Sequence, residues 1–155
     1  RYENAIVMRT FSKAFSLAGA RIGLAVARPE LINEFLKVKD SYNLSAFAQA
    51  AGIAAMEDYQ YMRGRAKQIR QTRSRLAASL EELGFRVPPS QSNFLLAHWM
   101  GNPSARELFE ALSAQRILVR YFNARRLQHA LRITVGTDEE CEALLEALRG
   151  LLKGA

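Results

Sequence analysis

The chain has 155 residues, of which 49% are hydrophobic and 24% are charged, and its formal net charge is +7. This balance is typical of a folded globular protein and excludes an intrinsically disordered one. Because no apolar run reaches the length of a membrane span, the start shows no signal-peptide pattern and Cys141 is a lone cysteine, we expect a cytoplasmic protein.

The first third of the chain predicts two strands and two helices. The apolar runs AIVMRTF, from Ala5, and ARIGLAVA, from Ala20, are too short for helices and predict buried strands. Pro29 stands at the first position of a predicted helix through ELINEFLKVKD, and a second helix is predicted in SAFAQAAGIAAME, from Ser45, whose small residues favour close backbone packing. The order strand, loop, strand, helix is typical of the rim of an α/β sheet.

A long helix is predicted from about Tyr59 to Leu83, and Gly84 ends it. An apolar stripe at helical spacing follows one side of this helix. The opposite side is basic and carries Arg63, Lys67, Arg70, Arg73 and Arg75. A basic helix can bind nucleic acid, but this one has an apolar stripe opposite and acidic residues at its end, so we interpret its basic side as a solvated face.

The remainder of the chain predicts a compact α+β unit that follows a linker, Val87 to Ser90. Three runs predict strands, namely NFLLAHW, RILVRYF and ALRITVG. The run PSARELFEALSAQ predicts a helix opened by Pro103. A closing helix is predicted with Thr137 as its N-cap and Glu140 completing a capping box.

The segment MRTFSKAFSLAGARIG, from Met8, places Lys13 among groups that suit a phosphorylated aldehyde. A lysine becomes a nucleophile when desolvation or a nearby cation lowers its pKa. The hydroxyls of Thr10 and Ser12 and the guanidinium of Arg21 are donors that can bind a phosphate. Pyridoxal phosphate is a cofactor that carries both an aldehyde, with which a lysine can react, and a phosphate. At this point the alternative that Lys13 is a solvated lysine without a chemical role remains open. A phosphate-loop kinase is not supported, because no glycine-rich loop precedes Ser12 and Lys13.

The segment RTFSKAFSLAGARIG closely resembles the cofactor-lysine segment of the fold type I, pyridoxal-phosphate-dependent aminotransferases, and most of all that of the histidinol-phosphate aminotransferases. The runs SYNLSAFAQAA, PSQSNFLL, ILVRYF and LRITVGTDEE are similar to successive segments of the same family, so the resemblance covers essentially the whole chain. It implies that Lys13 attaches the cofactor and is the catalytic base. It also implies that Thr10, Ser12 and Arg21 bind the cofactor phosphate.

The resemblance further implies a substrate and its binding residues. Arg132 matches the family arginine that binds the acidic group of the substrate, and Arg120 matches a second arginine on the substrate side. Without the resemblance, Arg120 would be interpreted as a strand arginine in an ion pair. The implied reaction transfers an amino group from histidinol phosphate to 2-oxoglutarate in histidine biosynthesis. The implied partners are these small molecules and a second subunit in a homodimer, with no nucleic acid and no membrane.

The fold class implied is an α/β, fold type I transferase that is represented here only in part. Residues 1–58 correspond to the C-terminal part of the cofactor-binding large domain, 59–84 to a long interdomain helix, and 85–155 to a small α+β C-terminal domain. Members of the family are considerably longer. We therefore expect this chain to be the C-terminal portion of such an enzyme, with an uncovered sheet remnant and no turnover by itself.

Other functions remain open from the sequence. An aminotransferase for aromatic amino acids and a phosphothreonine decarboxylase would use Lys13 in the same way, and a non-catalytic binding module would keep the fold without the cofactor. No cluster of ligands with metal spacing surrounds His98 or His129, so no metal site is predicted. We expect Trp99 to serve packing and Cys141 to be an unactivated thiol on a helix face.

Overall fold

The structure is a computed structural model that describes residues 2–153. These residues form two compact units, the first ending at Ala66 and the second beginning at Lys67. The boundary lies inside a helix, and each unit has a hydrophobic core of its own. The three-part domain division expected from the resemblance stays a prediction.

The first unit contains a two-stranded antiparallel sheet and two complete helices. Strands β1 (Val7–Thr10) and β2 (Gly23–Val26) pair in the register Val7 with Val26 and Thr10 with Gly23. The helices are α1 (Pro29–Val38), α2 (Ala46–Glu57) and the beginning of α3 (Tyr59–Glu82). The predicted helix starts are confirmed, because Pro29 is the first residue of α1 and the Ser45 side chain accepts the Ala48 N–H of α2 at 3.1 Å.

The prediction that both strands of the first unit are buried is wrong. Every residue of β1 and β2 is exposed, because within the described residues the pair has no third strand beside it. The core of this unit lies at the loop end of the hairpin instead. It is formed by Phe11, Ile22 and Ala48.

The second unit contains a three-stranded antiparallel sheet in the order β3-β5-β4. Strand β5 (Ala130–Thr134) is central, between β3 (Phe94–His98) and β4 (Arg120–Tyr121), and helices α4 (Ala105–Ala114) and α5 (Asp138–Lys153) complete the unit with the rest of α3. The largest fully buried side chains of its core are Leu80, Leu95, Leu108, Leu112, Leu131, Ile133 and Leu148. The predicted α+β character of this part of the chain is confirmed.

Two predicted details of the second unit need correction. Pro103 does not open α4, because Ser104 is its N-cap and forms a capping box with Glu107, whose N–H donates to the Ser104 Oγ at 3.3 Å. The run RILVRYF is a strand only at Arg120 and Tyr121, since the chain leaves α4 through Arg116 in the left-handed region and pairs with β5 only at those two residues. The capping box of Thr137 and Glu140 at the start of α5 is confirmed.

The prediction that the basic side of α3 is a solvated face is wrong at Arg73. Arg73 is buried, and its guanidinium donates to the Ser92 carbonyl at 2.7 Å and to the Gln91 Oε1 at 3.4 Å. Arg73 thus provides a hydrogen-bond donor to the Ser92 carbonyl, which precedes β3 and takes no part in its strand pairing. The predicted linker is likewise part of the packed unit, because Val87 is buried.

Candidate functional site

The loop that joins β1 to β2 holds Lys13 in a compact turn. The Phe11 N–H donates to the Ile22 carbonyl at 3.1 Å and so extends the strand pair, while the Ser16 N–H donates to the Lys13 carbonyl at 3.0 Å. The rings of Phe11 and Phe15 stack at 4.6 Å on either side of the lysine in sequence. Because Phe11 and Ile22 are buried, the base of the loop is anchored while Lys13 itself is exposed.

Two hydroxyl groups precede the lysine in a fixed arrangement. The Thr10 Oγ1 donates to the Ser12 Oγ at 2.9 Å, and the Ser12 N–H donates to the Thr10 Oγ1 at 3.1 Å. These bonds hold both side chains of the predicted phosphate-binding pair at one end of β1. Their geometry orders the hydroxyls locally, before any ligand is considered.

Arg21 completes the donor set from the other end of the loop. Its backbone is in the left-handed region, with a φ of 54°, a conformation that costs residues other than glycine conformational energy. One guanidinium nitrogen donates to the Ala18 carbonyl at 3.0 Å, which leaves the other N–H groups of this fork for a ligand.

The charge of the loop suits a phosphate. The sequence between Glu3 and Glu30 contains no acidic residue but includes Lys13 and Arg21. Hydroxyl and guanidinium donors in a segment without carboxylates are the donor chemistry that a phosphate monoester requires. The residues present therefore fit the phosphorylated cofactor that the lysine motif predicted.

A recess of about 580 Å³ lies on the Arg21 side of the loop, next to the start of α2. Its lining includes Arg21, Ser45 and Phe47, whereas Thr10 and Lys13 do not contribute to it. Helix α2 comes close to the loop because its residues are small, as the sequence predicted. A Cβ added at Gly52 would stand 3.3 Å from the Ile22 side chain.

The second unit brings the two predicted substrate arginines together. Arg120 on β4 and Arg132 on β5 are direct register partners, and both are exposed. Among residues 2–153 neither guanidinium forms a salt bridge or a hydrogen bond, so the interpretation of Arg120 as an ion-pair arginine is wrong. Two like charges without a carboxylate between them form a candidate anion site.

Aromatic rings that the sequence reasoning missed flank these arginines. The Arg132 guanidinium lies 5.4 Å from the Phe94 ring and 5.6 Å from the Phe122 ring, and the Arg120 guanidinium lies 5.3 Å from the same Phe122 ring. A signal was present, because residues two apart on an extended chain lie on the same side, as Arg120 and Phe122 do.

The remaining singled-out residues have packing roles. Trp99 packs on Phe85 with ring centroids 4.7 Å apart, and its Nε1 donates to the Pro103 carbonyl at 2.7 Å, which confirms the expected role. Burial raises the pKa of the Cys141 thiol, and burial together with the Arg86 charge lowers the pKa of His98. The described part of the chain contains neither a metal-ligand cluster nor a helix long and apolar enough to cross a membrane.

Comparisons with known proteins place these features in context. Residues 1–148 match the model of the family described as aminotransferase class I and II. The chain is 48% identical over 152 residues to the histidinol-phosphate aminotransferase of Synechocystis sp., a match that covers 97% of this chain and 43% of that protein. The chain thus spans less than half the length of this curated relative.

Two solved structures are similar over almost the whole chain. Histidinol-phosphate aminotransferase from Sinorhizobium meliloti, in complex with pyridoxal-5'-phosphate, is 30% identical with a TM-score of 0.85, covering 98% of this chain and 42% of that one. L-threonine-O-3-phosphate decarboxylase from Porphyromonas gingivalis is 26% identical with a TM-score of 0.80, covering 97% of this chain and 47% of that one.

Proposed function

The chain belongs to the class I and II aminotransferase family, and from this membership we propose that the whole protein transfers an amino group from histidinol phosphate to 2-oxoglutarate. The expected fold class, a partial fold type I transferase, is confirmed by the structural similarities. The identity of 48% to a histidinol-phosphate aminotransferase supports the choice of substrate. The neighbour that contains pyridoxal-5'-phosphate supports that cofactor.

The observation that carries the proposal is the loop between β1 and β2. In this proposal Lys13 attaches the cofactor, while the Thr10 and Ser12 hydroxyls and the Arg21 fork hold its phosphate. When bound, pyridoxal phosphate supplies an electron sink for the negative charge that develops at the substrate Cα. The Lys13 Nζ removes the proton from that Cα as a general base and returns a proton as a general acid.

The substrate's acidic group is assigned to the arginines of the second unit. Arg132 binds the phosphate of histidinol phosphate in one half of the reaction and a carboxylate of glutamate in the other, and Arg120 assists it. A guanidinium fork accepts either anion, which suits an enzyme with two dissimilar substrates. The absence of any protein anion on either guanidinium, within the described residues, supports this assignment.

A phosphothreonine decarboxylase is the second candidate function. The similarity to the Porphyromonas gingivalis decarboxylase favours it, and the same arginine pair suits a phosphorylated amino acid. Both candidates use Lys13 and the phosphate-binding donors identically. They differ in whether the substrate loses a proton or carbon dioxide from its Cα.

We further propose a cytoplasmic homodimer that acts in histidine biosynthesis, with small molecules as its ligands. The chain by itself is proposed to lack turnover, because it spans 43% of the related enzyme and the strands beside Lys13 are uncovered. Its position in the C-terminal portion of the enzyme stays a prediction.

Turnover by the whole protein tests the proposal. Histidinol phosphate, phenylalanine and phosphothreonine are offered in turn with 2-oxoglutarate, and glutamate is measured. We expect glutamate from histidinol phosphate. The variant Lys13→Ala should lose both turnover and the visible absorbance of the bound cofactor, whereas Lys37→Ala, which removes an exposed lysine paired with Glu34, should keep both. Turnover that survives in Lys13→Ala would disprove the assignment, and carbon dioxide release from phosphothreonine would favour the decarboxylase.

A further inference from the structure

The two arginines of the second unit, Arg120 and Arg132, repel each other because both side chains are positively charged. Arg120 and Arg132 stand directly opposite each other on adjacent strands, where like charges are destabilising. On its other side Arg132 faces Leu96 of β3, so that strand offers it no compensating carboxylate. Two adjacent cations lower the stability of the folded protein unless other groups interact favourably with them or a bound anion neutralises their charge.

Phe122 lies where it contacts both cations. Its ring centroid is 5.3 Å from the Arg120 guanidinium and 5.6 Å from that of Arg132, within the range of cation–π attraction. Phe94 lies 5.4 Å from Arg132 and is a second ring against the same guanidinium. One shared ring and one further ring thus restrict two side chains that would otherwise sample many rotamers in solvent.

Restriction of this kind matters for binding an anion. A long side chain that is immobilised on binding loses conformational entropy, and a side chain already held in place loses less. Arginine is suited to such holding, because its planar guanidinium stacks on an aromatic face and still directs its N–H groups outward.

We propose that Phe122 is a positioning residue that holds the Arg120 and Arg132 guanidiniums side by side for one phosphate monoester, with Phe94 steadying Arg132. The identity of that ligand as a phosphorylated substrate rests on the proposed function. The positioning role itself does not need turnover, because it concerns phosphate binding by side chains of a single unit.

Urea unfolding of this chain in the presence of inorganic phosphate tests the proposal. Trp99 is the single tryptophan and packs, partly buried, against the core of the second unit, so its fluorescence reports the unfolding of that unit. The unfolding midpoint is measured against potassium phosphate concentration, with potassium chloride at matched ionic strength as the reference. The double variant Arg120→Gln, Arg132→Gln measures the general stabilising effect of phosphate as a solute.

Phe122→Leu should weaken the phosphate affinity roughly five- to thirtyfold, the effect of losing two exposed cation–π contacts. Phe122→Tyr, which keeps the ring, should retain the affinity. Phe109→Leu is the matched control, because the Phe109 ring stacks on Tyr121 at 6.0 Å and has no cation–π contact with either arginine. If Phe122→Leu fails to fold, Phe122→Met replaces it with a flexible apolar side chain that lacks the ring.

Two results would overturn the proposal. One is an unchanged phosphate affinity in the variants without the Phe122 ring, and the other is a phosphate effect in the unsubstituted chain no larger than in the double arginine variant. If the whole protein transaminates histidinol phosphate but its phosphate affinity does not depend on Phe122, this inference is refuted and the proposed function is unaffected. Phosphate binding that depends on Phe122, in a protein without transamination, would do the reverse.

Discussion

Arg21 and Arg132 have the same side chain but different surroundings. Arg21 belongs to the first unit, where a left-handed backbone and a bond to the Ala18 carbonyl hold it beside the lysine loop. Arg132 belongs to the second unit, where two aromatic rings hold it on the exposed side of β5. The proposed roles, cofactor phosphate for the first and substrate anion for the second, therefore predict two different defects.

In the whole protein, Arg21→Ala should weaken cofactor retention, whereas Arg132→Ala should raise KM and lower kcat/KM while the cofactor stays bound. Losing a charge-assisted contact costs roughly 1.5–3 kcal/mol, or about 10- to 150-fold in affinity. Cofactor titration by absorbance and steady-state kinetics separate the two effects. Equal losses of cofactor from both variants would contradict the division of roles.

At the scale of elements, α3 and α4 end in the same way but with different residues. After α3 the Gly84 N–H donates to the Glu81 carbonyl and the Phe85 N–H to the Leu80 carbonyl, with Gly84 at a φ of 93°. After α4 the corresponding bonds reach Ser113 and Leu112, and the left-handed residue is Arg116 at a φ of 62°. Both are Schellman endings, in which glycine avoids the clash of a Cβ.

Substitutions at these two helix ends should have opposite effects. Arg116→Gly should stabilise the second unit by about 1 kcal/mol, because it relieves the left-handed strain. Gly84→Ala should destabilise it by about 1–2 kcal/mol or more, since the added Cβ also stands 3.3 Å from the Trp99 ring. Urea unfolding followed by Trp99 fluorescence measures both. Destabilisation by Arg116→Gly would show that the Arg116 side chain contributes more than its backbone costs.

The start of α5 is joined to α3 by one carboxylate. The Asp138 Oδ1 accepts from the Thr72 hydroxyl at 2.7 Å and from the Arg75 guanidinium at 2.6 Å. The Thr72 hydrogen bond and then the Arg75 hydrogen bond lower the pKa of Asp138 below its ordinary value of 3.8. The stabilisation from this carboxylate is therefore fully present above pH 3.8 and is lost as the pH falls through the lowered folded-state pKa.

The pH dependence of stability should show this link. The urea midpoint of the second unit should fall as the pH is lowered from 7 to below the ordinary aspartate value, and Asp138→Asn should make that fall shallower. Glu139→Gln, at the neighbouring exposed carboxyl, is the matched control. Because Asp138 is exposed to solvent, the difference should shrink in high salt. Identical acid profiles for Asp138→Asn and the unsubstituted chain would refute the assignment.

At the scale of the whole molecule, the two units differ in how much apolar surface they bury. Within residues 2–153, the core of the second unit contains fourteen buried residues, and that of the first contains three. Among the described residues, fifteen large hydrophobic side chains are exposed in the first unit and two in the second. A surface of this kind is typical of one that another polypeptide covers.

The isolated chain should therefore self-associate through its first unit while the second unit keeps its fold. Light scattering should give a mass above that of a monomer, and hydrogen exchange should protect α4, α5 and β5. Val26→Glu, on the exposed strand pair, should reduce the association, whereas Leu118→Glu, at an exposed site of the second unit, should not. A stable monomer that binds pyridoxal phosphate tightly and transaminates would disprove both this expectation and the proposed lack of turnover.

Most element positions could be predicted from the sequence, because helix and turn signals act over a few residues. Pro29, Ser45, Gly84 and Thr137 mark helix ends through their own backbone and side-chain chemistry. The motif around Lys13 is local in the same sense, and it indicated the cofactor and the family without knowledge of the fold.

Only the tertiary structure decided which residues meet across long sequence separations. Arg73 is buried against the Ser92 carbonyl, whereas β1 and β2 are exposed. Arg120 pairs with Arg132 across two strands, and the Phe122 ring contacts both guanidiniums. Strand register and burial depend on which distant segments pair and on what covers them, and a local pattern does not contain that information. The lysine motif can therefore be recognised in the sequence, whereas the two arginines form a candidate site only because β4 pairs with β5.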